Sequence, residues 1–403
     1  MRALVVNSGS SSLKYELFQT EPLISLFEGE VERIGQTGST AWVFVRDRDG
    51  TGSRAEGPVT AADHAQAFEV ALDTLTASGV LSDTGDLAVV GHRVVHGGSR
   101  FIEPTLLDDE VVSGIGELAL LAPLHTAANL AGIEAARTHL AGVPQVAVFD
   151  TAFHHDLPSC AREYALPREL TRAHGICRYG FHGTSFAYAS RRAAIILGKP
   201  LGTLDLIVLH LGNGASACAI KGGKSIDTSM GMTPLEGLVM GTRCGDVDPA
   251  VPLLIREVTG LEREDVHRVL NHESGLLGLC GASDMREVHR LVAAGDADAE
   301  AALDIFCYRA AKYVGAYAVA LGRLDALVFT GGIGENDPEV RSRICDSLGV
   351  LGIGLDEGKN RAAANVERAI HGLRARVSVL VVPTDEEAEI ARLALACVRS
   401  TRS

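Results

Sequence analysis

The amino-acid sequence predicts an α/β fold in which a strand-rich unit occurs twice. First, the 403 residues are enough for two or three domains. Second, helix-like and strand-like segments alternate along most of the chain. Third, two strands joined by a polar turn occur at residues 3 to 18 and again around Gly222 and Gly223. Two such hairpins in one chain favour a duplicated domain.

The first half of the chain begins with short apolar runs whose residues alternate with polar neighbours, as expected for antiparallel strands. A segment with helical spacing follows, and after it come buried strands, which indicates α/β layering. The predicted elements are strands at 3–6, 13–18 and 41–45, a helix at 63–78, and strands at 87–90 and 143–149.

The second half repeats this alternation. Asp248-Pro249 and Asp337-Pro338 each combine a good N-cap with a good first helical residue, and Thr384 with Glu387 forms a capping box for the last helix. The predicted elements are strands at 204–211, 215–220 and 225–229, helices at 249–257 and 299–321, a strand at 324–330, a helix after 337, a strand at 377–382 and a C-terminal helix.

Charge and cysteine content exclude several classes of protein. Lys plus Arg is 37 and Asp plus Glu is 51, so 37 − 51 gives a net charge of −14. A surface that binds nucleic acid or anionic lipid as a whole would be basic, so neither is expected as a partner, and an anionic ligand must be held locally. The eight cysteines follow no zinc or disulfide pattern, and no apolar run approaches the length of a membrane span. We therefore expect a cytoplasmic protein.

Three glycine-rich turns follow predicted strands: NSGSSSLK at 7–14, HLGNGAS at 210–216 and TGGIGEN at 330–336. Glycine lets backbone amides converge on a phosphate, and serine hydroxyls add donors. None matches the P-loop or the dinucleotide-binding fingerprint. Each could be an ordinary tight turn, but three together favour a phosphate site, and Lys14 in the first is the only lysine before Lys199.

Two arginines and one carboxylate are candidates for anion chemistry. Arg93 lies in GHRVVHGG and Arg243 in MGTRCGD, and a guanidinium matches the geometry of a carboxylate or a phosphoryl group. The alternative for each arginine is a surface ion pair. Asp150 ends a predicted strand, where it could orient an attacking oxygen or contact a metal through water, or serve as a turn or cap residue.

One histidine and one glutamate complete the candidates. His182 lies in RYGFHGTS and could donate to the equatorial oxygens of a phosphoryl group, or be a satisfied core histidine. Glu387 is explained as a helix-capping carboxylate, whereas Glu386 remains available as an oxygen ligand for Mg²⁺.

Together these motifs resemble the acetokinase family, and the resemblance covers essentially the whole chain. The segments that carry it are NSGSSSLKYELF, GHRVVHGG, APLH, VFDTAFH, YGFHGTS, HLGNGAS, GGKSIDTSMGMTPLEGLVMGTRCGDVDP, FTGGIGEN and VPTDEE. The resemblance implies a two-domain, actin-like ATPase (ribonuclease H-like) α/β fold with duplicated βββαβαβα topology. It implies domains at 1–152, completed by the helix at 387–403, and at 153–386, the latter with the nucleotide site and a homodimer interface.

The resemblance also implies reversible, direct in-line transfer of a phosphoryl group from ATP to acetate, which gives acetyl phosphate and ADP, with Mg²⁺ or Mn²⁺ as the metal. Its implied catalytic residues are Asp150, His182 and Arg243, and its metal ligands are Asn7 and Glu386. The implied acetate-binding residues are Arg93, Val95, Leu124, Phe181 and Pro234. The implied nucleotide-binding residues are Lys14, His210, Leu211, Gly212, Asn213, Gly214, Asp284, Met285, Arg286, Gly331, Gly332, Ile333, Gly334, Glu335 and Asn336.

Two departures from the family pattern concern positioning. Thr126-Ala127 replaces the usual Asn-Pro, and Phe186 replaces a second histidine. Two alternative functions stay open at this point: a propionate or butyrate kinase, since one methylene changes binding by only ~1 to 3 kcal/mol, and an ATP-binding sensor or filament protein of the same fold. Arg93 and Arg243 argue against the second alternative, which needs no acyl site.

Overall fold

The computed structural model describes residues 1–47, 51–362 and 366–401, except for the side chains of Leu120, Pro123 and Leu124. The chain forms two compact units: unit 1 contains Met1–Phe153 and Asp385–Ser403, and unit 2 contains His154–Thr384. Among the described residues, no helix combines the length and the apolar character that a membrane span requires. The eight cysteines, all of them described, are free thiols.

The strands occur in two main groups along the chain. In chain order they are β1 (Arg2–Ser8), β2 (Ser12–Thr20), β3 (Leu23–Glu32), β4 (Thr40–Arg46), β5 (Gly52–Pro58), β6 (Leu87–Val94), β7 (Thr105–Leu106), β8 (Gln145–Phe149), β9 (Asp205–Leu211), β10 (Ala215–Lys221), β11 (Lys224–Thr228), β12 (Ala326–Thr330), β13 (Arg368–Ala369) and β14 (Ser378–Val381).

Helices connect and cover these strands. The α-helices are α1 (His64–Ala77), α2 (Asp109–Glu117), α3 (Pro123–His139), α4 (Ser159–Arg162), α5 (Arg168–His174), α6 (Gly183–Leu197), α7 (Val251–Thr259), α8 (Arg263–His272), α9 (Gly275–Cys280), α10 (Met285–Ala293), α11 (Ala297–Leu321), α12 (Gly331–Asn336), α13 (Pro338–Asp346), α14 (Glu357–Arg361) and α15 (Glu386–Thr401). Short 3₁₀ helices occupy Thr84–Asp86, Leu118–Leu120, Ala152–His154, Leu201–Thr203 and Gly349–Leu351.

The two units have the same central strand order. In unit 1 the sheet runs β5-β4-β3-β2-β1-β6-β8-β7, and in unit 2 it runs β11-β10-β9-β12-β14-β13. In both, three consecutive strands pair antiparallel. The first of these three also pairs parallel with a later strand, β6 in unit 1 and β12 in unit 2, and that strand pairs parallel with one more, β8 or β14. This repetition confirms the predicted α/β fold with duplicated topology.

The core of unit 1 covers both faces of its sheet. Leu4 and Val6 on β1 pack with α1 residues such as Phe68, whereas the alternate residues of the same strand pack with α15 residues such as Ile390. A Cβ atom on Gly91 of β6 would lie 2.9 Å from Ile390 Cγ2, so glycine is required where α15 crosses the sheet. Burial on both faces explains why these strands read as continuous apolar runs.

Parallel pairing brings the predicted site residues to strand ends. In unit 1, β6 and β8 are in register through Arg93 and Val148, so Arg93 and Asp150 leave the sheet at the same edge. In unit 2, Thr330 at the end of β12 lies opposite His210 on β9. Ligand-binding groups in α/β sheets gather where parallel strands end, because their carboxyl ends meet at one edge.

Several elements differ from the sequence-based expectation. The prediction omits β3, although its buried residues, such as Phe27 and Val31, alternate with glutamates in the period of two that a half-buried strand shows. The segment 331–336, expected as a turn, forms the short helix α12. The helix expected from Pro249 begins at Val251, because Asp248 accepts a hydrogen bond from the Ala250 amide and forms a turn first.

The predicted capping box of the last helix is also wrong. Asp385, not Thr384, accepts the hydrogen bond from the Ala388 amide, and α15 then begins at Glu386. The Thr384 amide donates instead to Oε1 of Glu335 at 2.9 Å, a contact between residues far apart in the sequence. The spacing of residues around Thr384 could not show that the carboxylate of Glu335, distant in the sequence, accepts the hydrogen bond of the Thr384 amide.

Candidate active site

Unit 1 places Asn7 and Lys14 side by side. They are register partners on the antiparallel strands β1 and β2, next to the serine-rich turn. The Lys14 side chain is half exposed, and its Nζ lies 4.0 Å from Oε2 of Glu30. Because this ion pair is long and solvated, it contributes little, and the ammonium stays accessible to an anion.

Arg93 and Asp150 form an ion pair at the edge of the unit 1 sheet. Arg93 Nη2 lies 2.7 Å from Asp150 Oδ2, and Arg93 Nε donates to both carboxylate oxygens at 3.2 Å. The Asp150 side chain is 1% exposed, and the Arg93 side chain is 21% exposed. Burial alone would lower the pKa of Arg93, but Asp150 and Glu386 outweigh it and raise that pKa above its ordinary value. Arg93 is therefore fixed in its charged form.

Glu386 approaches the same guanidinium. Its Oε2 lies 3.5 Å from Nη2 of Arg93, and it is the first residue of α15. Among the described residues, the Arg93 hydrogen bonds engage Nε and Nη2 and leave Nη1 available. The carboxylate of Glu386 and the amide oxygen of Asn7 are hard oxygen donors of the type that Mg²⁺ selects, so the donor set fits this metal.

A second acidic group lies beside this site. Carboxylate oxygens of Glu16, Asp385 and Glu387 all lie within 4.8 Å of one another. Burial raises the pKa of each of the three, and in Glu16 the two neighbouring carboxylates raise it further. These carboxyl groups therefore favour protonation more than exposed ones do. The sequence patterns did not predict this group.

Unit 2 brings His182, His210 and Gly214 together. His182 precedes α6 in a left-handed conformation with φ of 57°, and its ring stacks on that of His210 with 4.3 Å between centroids. Its Nδ1 lies 2.8 Å from Oγ of Ser216. A Cβ atom on Gly214 would lie 3.6 Å from His182 Nε2 and 3.7 Å from Nη1 of Arg243. The glycine turn thus lies against both predicted catalytic groups of this unit.

Arg243 is a half-buried cation without an acidic partner among the described residues. Its Nη1 donates to the carbonyl oxygen of Pro234 at 2.9 Å and lies 3.7 Å from Sδ of Met240. No ion pair involves it within the described ranges, and burial lowers its pKa. A buried guanidinium is costly unless a negative charge compensates it, so this position is suited to an anionic ligand.

A cavity of about 850 Å³ lies beside the strand ends of unit 2. It brings together most of the predicted nucleotide-binding residues from three separate segments. Its lining consists of Gly212, Asn213, Ser283, Asp284, Met285, Arg286, His289, Gly332, Ile333, Asn336, Asp337, Pro338 and Glu339. Mixed apolar and polar walls of this kind suit a nucleoside.

The other predicted nucleotide residues do not line this cavity. His210 and Gly214 lie in the turn described above, and Gly331 begins α12 with a φ of 78°. Leu211 and Gly334 are buried. The Glu335 carboxyl group accepts hydrogen bonds from the amides of Thr384 and Gly331, and burial raises its pKa. The Glu335 carboxyl group therefore stabilises the fold through these hydrogen bonds.

The four predicted acyl-pocket residues are divided between the units. Val95 is half-buried, and its amide donates to Oδ1 of Asn129 at 3.1 Å. The Leu124 side chain lies outside the described residues. In unit 2, Phe181 is buried, and its carbonyl oxygen lies 3.0 Å from Nε2 of His154. Pro234 contributes its carbonyl oxygen to Arg243.

Sequence reasoning missed several partners of the site. Ser216 and Ser185 contact the rings of His182 and His210, and His289 lines the cavity. Ser216 is the last residue of the HLGNGAS motif, but nothing in the neighbouring sequence predicts that its hydroxyl forms a hydrogen bond with a histidine. The departure at Phe186 is explained by packing, since the ring is fully buried and lies edge-on to His154.

Comparison with known proteins identifies similar chains. The family model described as the acetokinase family matches residues 2–392. An acetate kinase of Leifsonia xyli subsp. xyli is 52% identical over 98% of both chains. Acetate kinase from Porphyromonas gingivalis and a propionate kinase from Francisella tularensis subsp. tularensis each match with a TM-score of 0.91 and 41% identity, over 98% of this chain and 99% of theirs.

Proposed function

The chain belongs to the acetokinase family and phosphorylates acetate with ATP; from that premise we propose which of its residues perform the transfer. An acetate oxygen attacks the γ-phosphorus of ATP while the bond from that phosphorus to the β,γ-bridging oxygen breaks. The products are acetyl phosphate and ADP, and no proton has to move. The observation that carries the assignment is Arg243, a half-buried cation without an acidic partner among the described residues, beside His182 and Gly214.

Unit 2 binds ATP in this proposal. The cavity takes the nucleoside, and the segment at 210–214 and the start of α12 at 331–334 take the phosphates through backbone amides. Arg243 and His182 donate to the equatorial oxygens of the γ-phosphoryl group, where negative charge is concentrated during transfer. Lys14 of unit 1 is a further phosphate contact.

Unit 1 binds acetate in this proposal. Arg93 orients the carboxylate through Nη1, while Asp150 holds Nε and Nη2. Asp150 is the catalytic carboxylate that keeps this arrangement charged and aligned. The residues that we assign to the methyl group of acetate are Val95 and Leu124 in unit 1 and Phe181 and Pro234 in unit 2.

The metal is Mg²⁺ in this proposal, with Mn²⁺ as a substitute. Asn7 and Glu386 hold it, since both offer oxygen ligands. When bound, the metal neutralises charge on the β- and γ-phosphates.

Propionate is the alternative acceptor, because the chain matches an acetate kinase and a propionate kinase structure equally well. We favour acetate because the relatives with higher identity carry that name. We also propose that the protein is a homodimer of two-domain chains and that it works in the cytoplasm, where its free thiols remain reduced.

Trapping of the acyl phosphate as its hydroxamate tests the function. The protein is incubated with ATP, Mg²⁺ and hydroxylamine, together with acetate, propionate or butyrate at equal concentration. We expect acetate-dependent hydroxamate, with the highest rate for acetate. Absence of any acid-dependent product would overturn the proposal and favour an ATP-binding sensor, and acetate as the poorest substrate would overturn the choice of acceptor.

A further inference from the structure

A chain of buried hydrogen bonds runs through unit 2 to the histidine near the end of β9. Ser185 in the first turn of α6 is fully buried. Its Oγ lies 2.8 Å from Nδ1 of His210 and 3.1 Å from Oγ1 of Thr384. The Thr384 amide donates to Oε1 of Glu335, which anchors the threonine. Four segments distant in the sequence, including that of His210 itself, are therefore linked by successive contacts.

The other nitrogen of that imidazole borders the glycine turn. A Cβ atom on Gly212 would lie 3.7 Å from Nε2 of His210. In a neutral histidine, one ring nitrogen carries a proton and the other a lone pair, so the partner of one nitrogen decides what the other can do. The contact at Nδ1 therefore controls whether His210 presents a donor or an acceptor to a ligand at Gly212.

Two arrangements satisfy the contact between Ser185 and His210. With the proton on Nδ1, His210 would present a lone pair to a phosphate oxygen and repel it. With Ser185 donating to Nδ1, the proton lies on Nε2, and His210 becomes a phosphate donor. Thr384 can serve either arrangement, because its hydroxyl can accept from Ser185 in the first and donate to Oγ of Ser185 in the second. The phosphates that the proposed function places at Gly212 select the second arrangement, since only a proton on Nε2 offers them a donor.

We propose that Ser185, supported by Thr384, is a positioning residue that holds His210 as the tautomer protonated on Nε2 and so provides a donor to the phosphates of ATP. This inference rests on the proposed function, which puts those phosphates at Gly212. The stacked ring of His182 gains from the same constraint, because it lies on a ring whose rotation is fixed at Nδ1.

Nitrogen-15 NMR of the histidine side chains tests the tautomer directly, in the full-length protein with and without ADP. We expect the wild-type His210 proton on Nε2, and a mixture of tautomers in Ser185→Ala. Ser190→Ala is the matched control, since Ser190 is buried in the same helix but donates only to the carbonyl oxygen of Ala187. A wild-type proton on Nδ1, or an unchanged tautomer in Ser185→Ala, would overturn the proposal.

Kinetics provide the second measurement. Loss of one neutral hydrogen bond predicts that Ser185→Ala lowers turnover roughly 5- to 10-fold, with little change in the KM for acetate. Thr384→Val removes only the hydroxyl and is expected to act in the same direction, whereas Thr384→Ser keeps it and stays near wild type. An equal loss of turnover in both Thr384 variants would contradict the proposed role of the Thr384 hydroxyl.

The two hypotheses fail differently. If the wild-type protein forms no acyl phosphate, the proposed function is wrong, while the NMR experiment still reports the tautomer. If the wild-type protein is active and Ser185→Ala matches it in tautomer and turnover, only the positioning role is wrong.

Discussion

Arg93 and Asp150 form a two-point ion pair, in which Nη2 and Nε of the guanidinium both donate to a carboxylate that is 1% exposed. The pair exists because β6 and β8 run parallel and in register, so residues 57 positions apart leave the sheet together. A guanidinium held at two nitrogens has a fixed plane, which prepares the third nitrogen for a ligand carboxylate.

The first prediction concerns this pair. Arg93→Ala and Asp150→Ala are each expected to lower kcat/KM for acetate roughly 100-fold or more, because either change destroys the aligned guanidinium. The double variant should be little worse than either single one, with a coupling of about 1 to 3 kcal/mol. Steady-state kinetics on the four proteins measure this. Additive effects would show that the two residues act independently.

The second prediction concerns Arg243. Its replacement by alanine removes a half-buried cation from the proposed γ-phosphoryl position, so turnover should fall roughly 100- to 1000-fold. Calorimetry should show only a modest change in ATP binding. Arg290→Ala, in an exposed pair with Glu287, is the control and should match wild type. Near-wild-type turnover of Arg243→Ala would refute the assigned role.

The third prediction concerns acceptor size. Val95→Ala removes two methyl groups, so the proposed acyl pocket gains more than the volume that the one extra methylene of propionate needs. The ratio of kcat/KM for propionate to that for acetate should rise about 10-fold. Val247→Ala, at an exposed position in unit 2, should leave the ratio unchanged. An unchanged ratio in Val95→Ala would remove Val95 from the pocket.

The fourth prediction concerns the metal. A chelator should abolish activity, and added Mg²⁺ should restore it. Glu386→Gln keeps the shape but loses the charge, so the Mg²⁺ concentration for half-maximal activity should rise at least roughly 10-fold. The exposed Glu110→Gln is the control. If the Mg²⁺ dependence of Glu386→Gln equals that of wild type, another residue holds the metal.

The fifth prediction concerns pH and stability. Burial lowers the pKa of His154 to about 4, against 6.5 in its absence, and the charge of Arg178 lowers it further, whereas the contact of its ring with the Phe181 carbonyl opposes the shift. As pH falls below 6.5, the unfolded chain binds a proton that the folded chain refuses. The contribution of His154 to stability is therefore lost between about pH 6.5 and 4, by up to about 3 kcal/mol, and is fully present above this range.

His154→Gln should flatten that part of the profile, measured by urea unfolding between pH 4 and 7.5. The exposed His174→Gln is the control and should keep the wild-type slope. An equal slope in wild type and His154→Gln would show that His154 does not titrate in this way.

Local patterns were enough for much of the fold. The two hairpins, the helix at 64–77 and the buried parallel strands were predictable, because burial and hydrogen bonding impose a period of two on strands and of 3.6 on helices. The glycine-rich turns were also predictable, because a close approach of the backbone to other groups favours glycine. Where that period was absent, as in the six residues of α12, the prediction failed.

Which side chains face one another could not be read from the chain. Ser185 and Thr384 are 199 residues apart. The local sequence predicts Thr384 as a helix cap, but in the structure its amide donates a hydrogen bond to Glu335. The pairing of Arg93 with Asp150 likewise depends on strand order and register. The sequence of a segment indicates how its own backbone groups form hydrogen bonds. A buried polar side chain instead bonds to whichever partner the folded sheet brings within hydrogen-bonding distance.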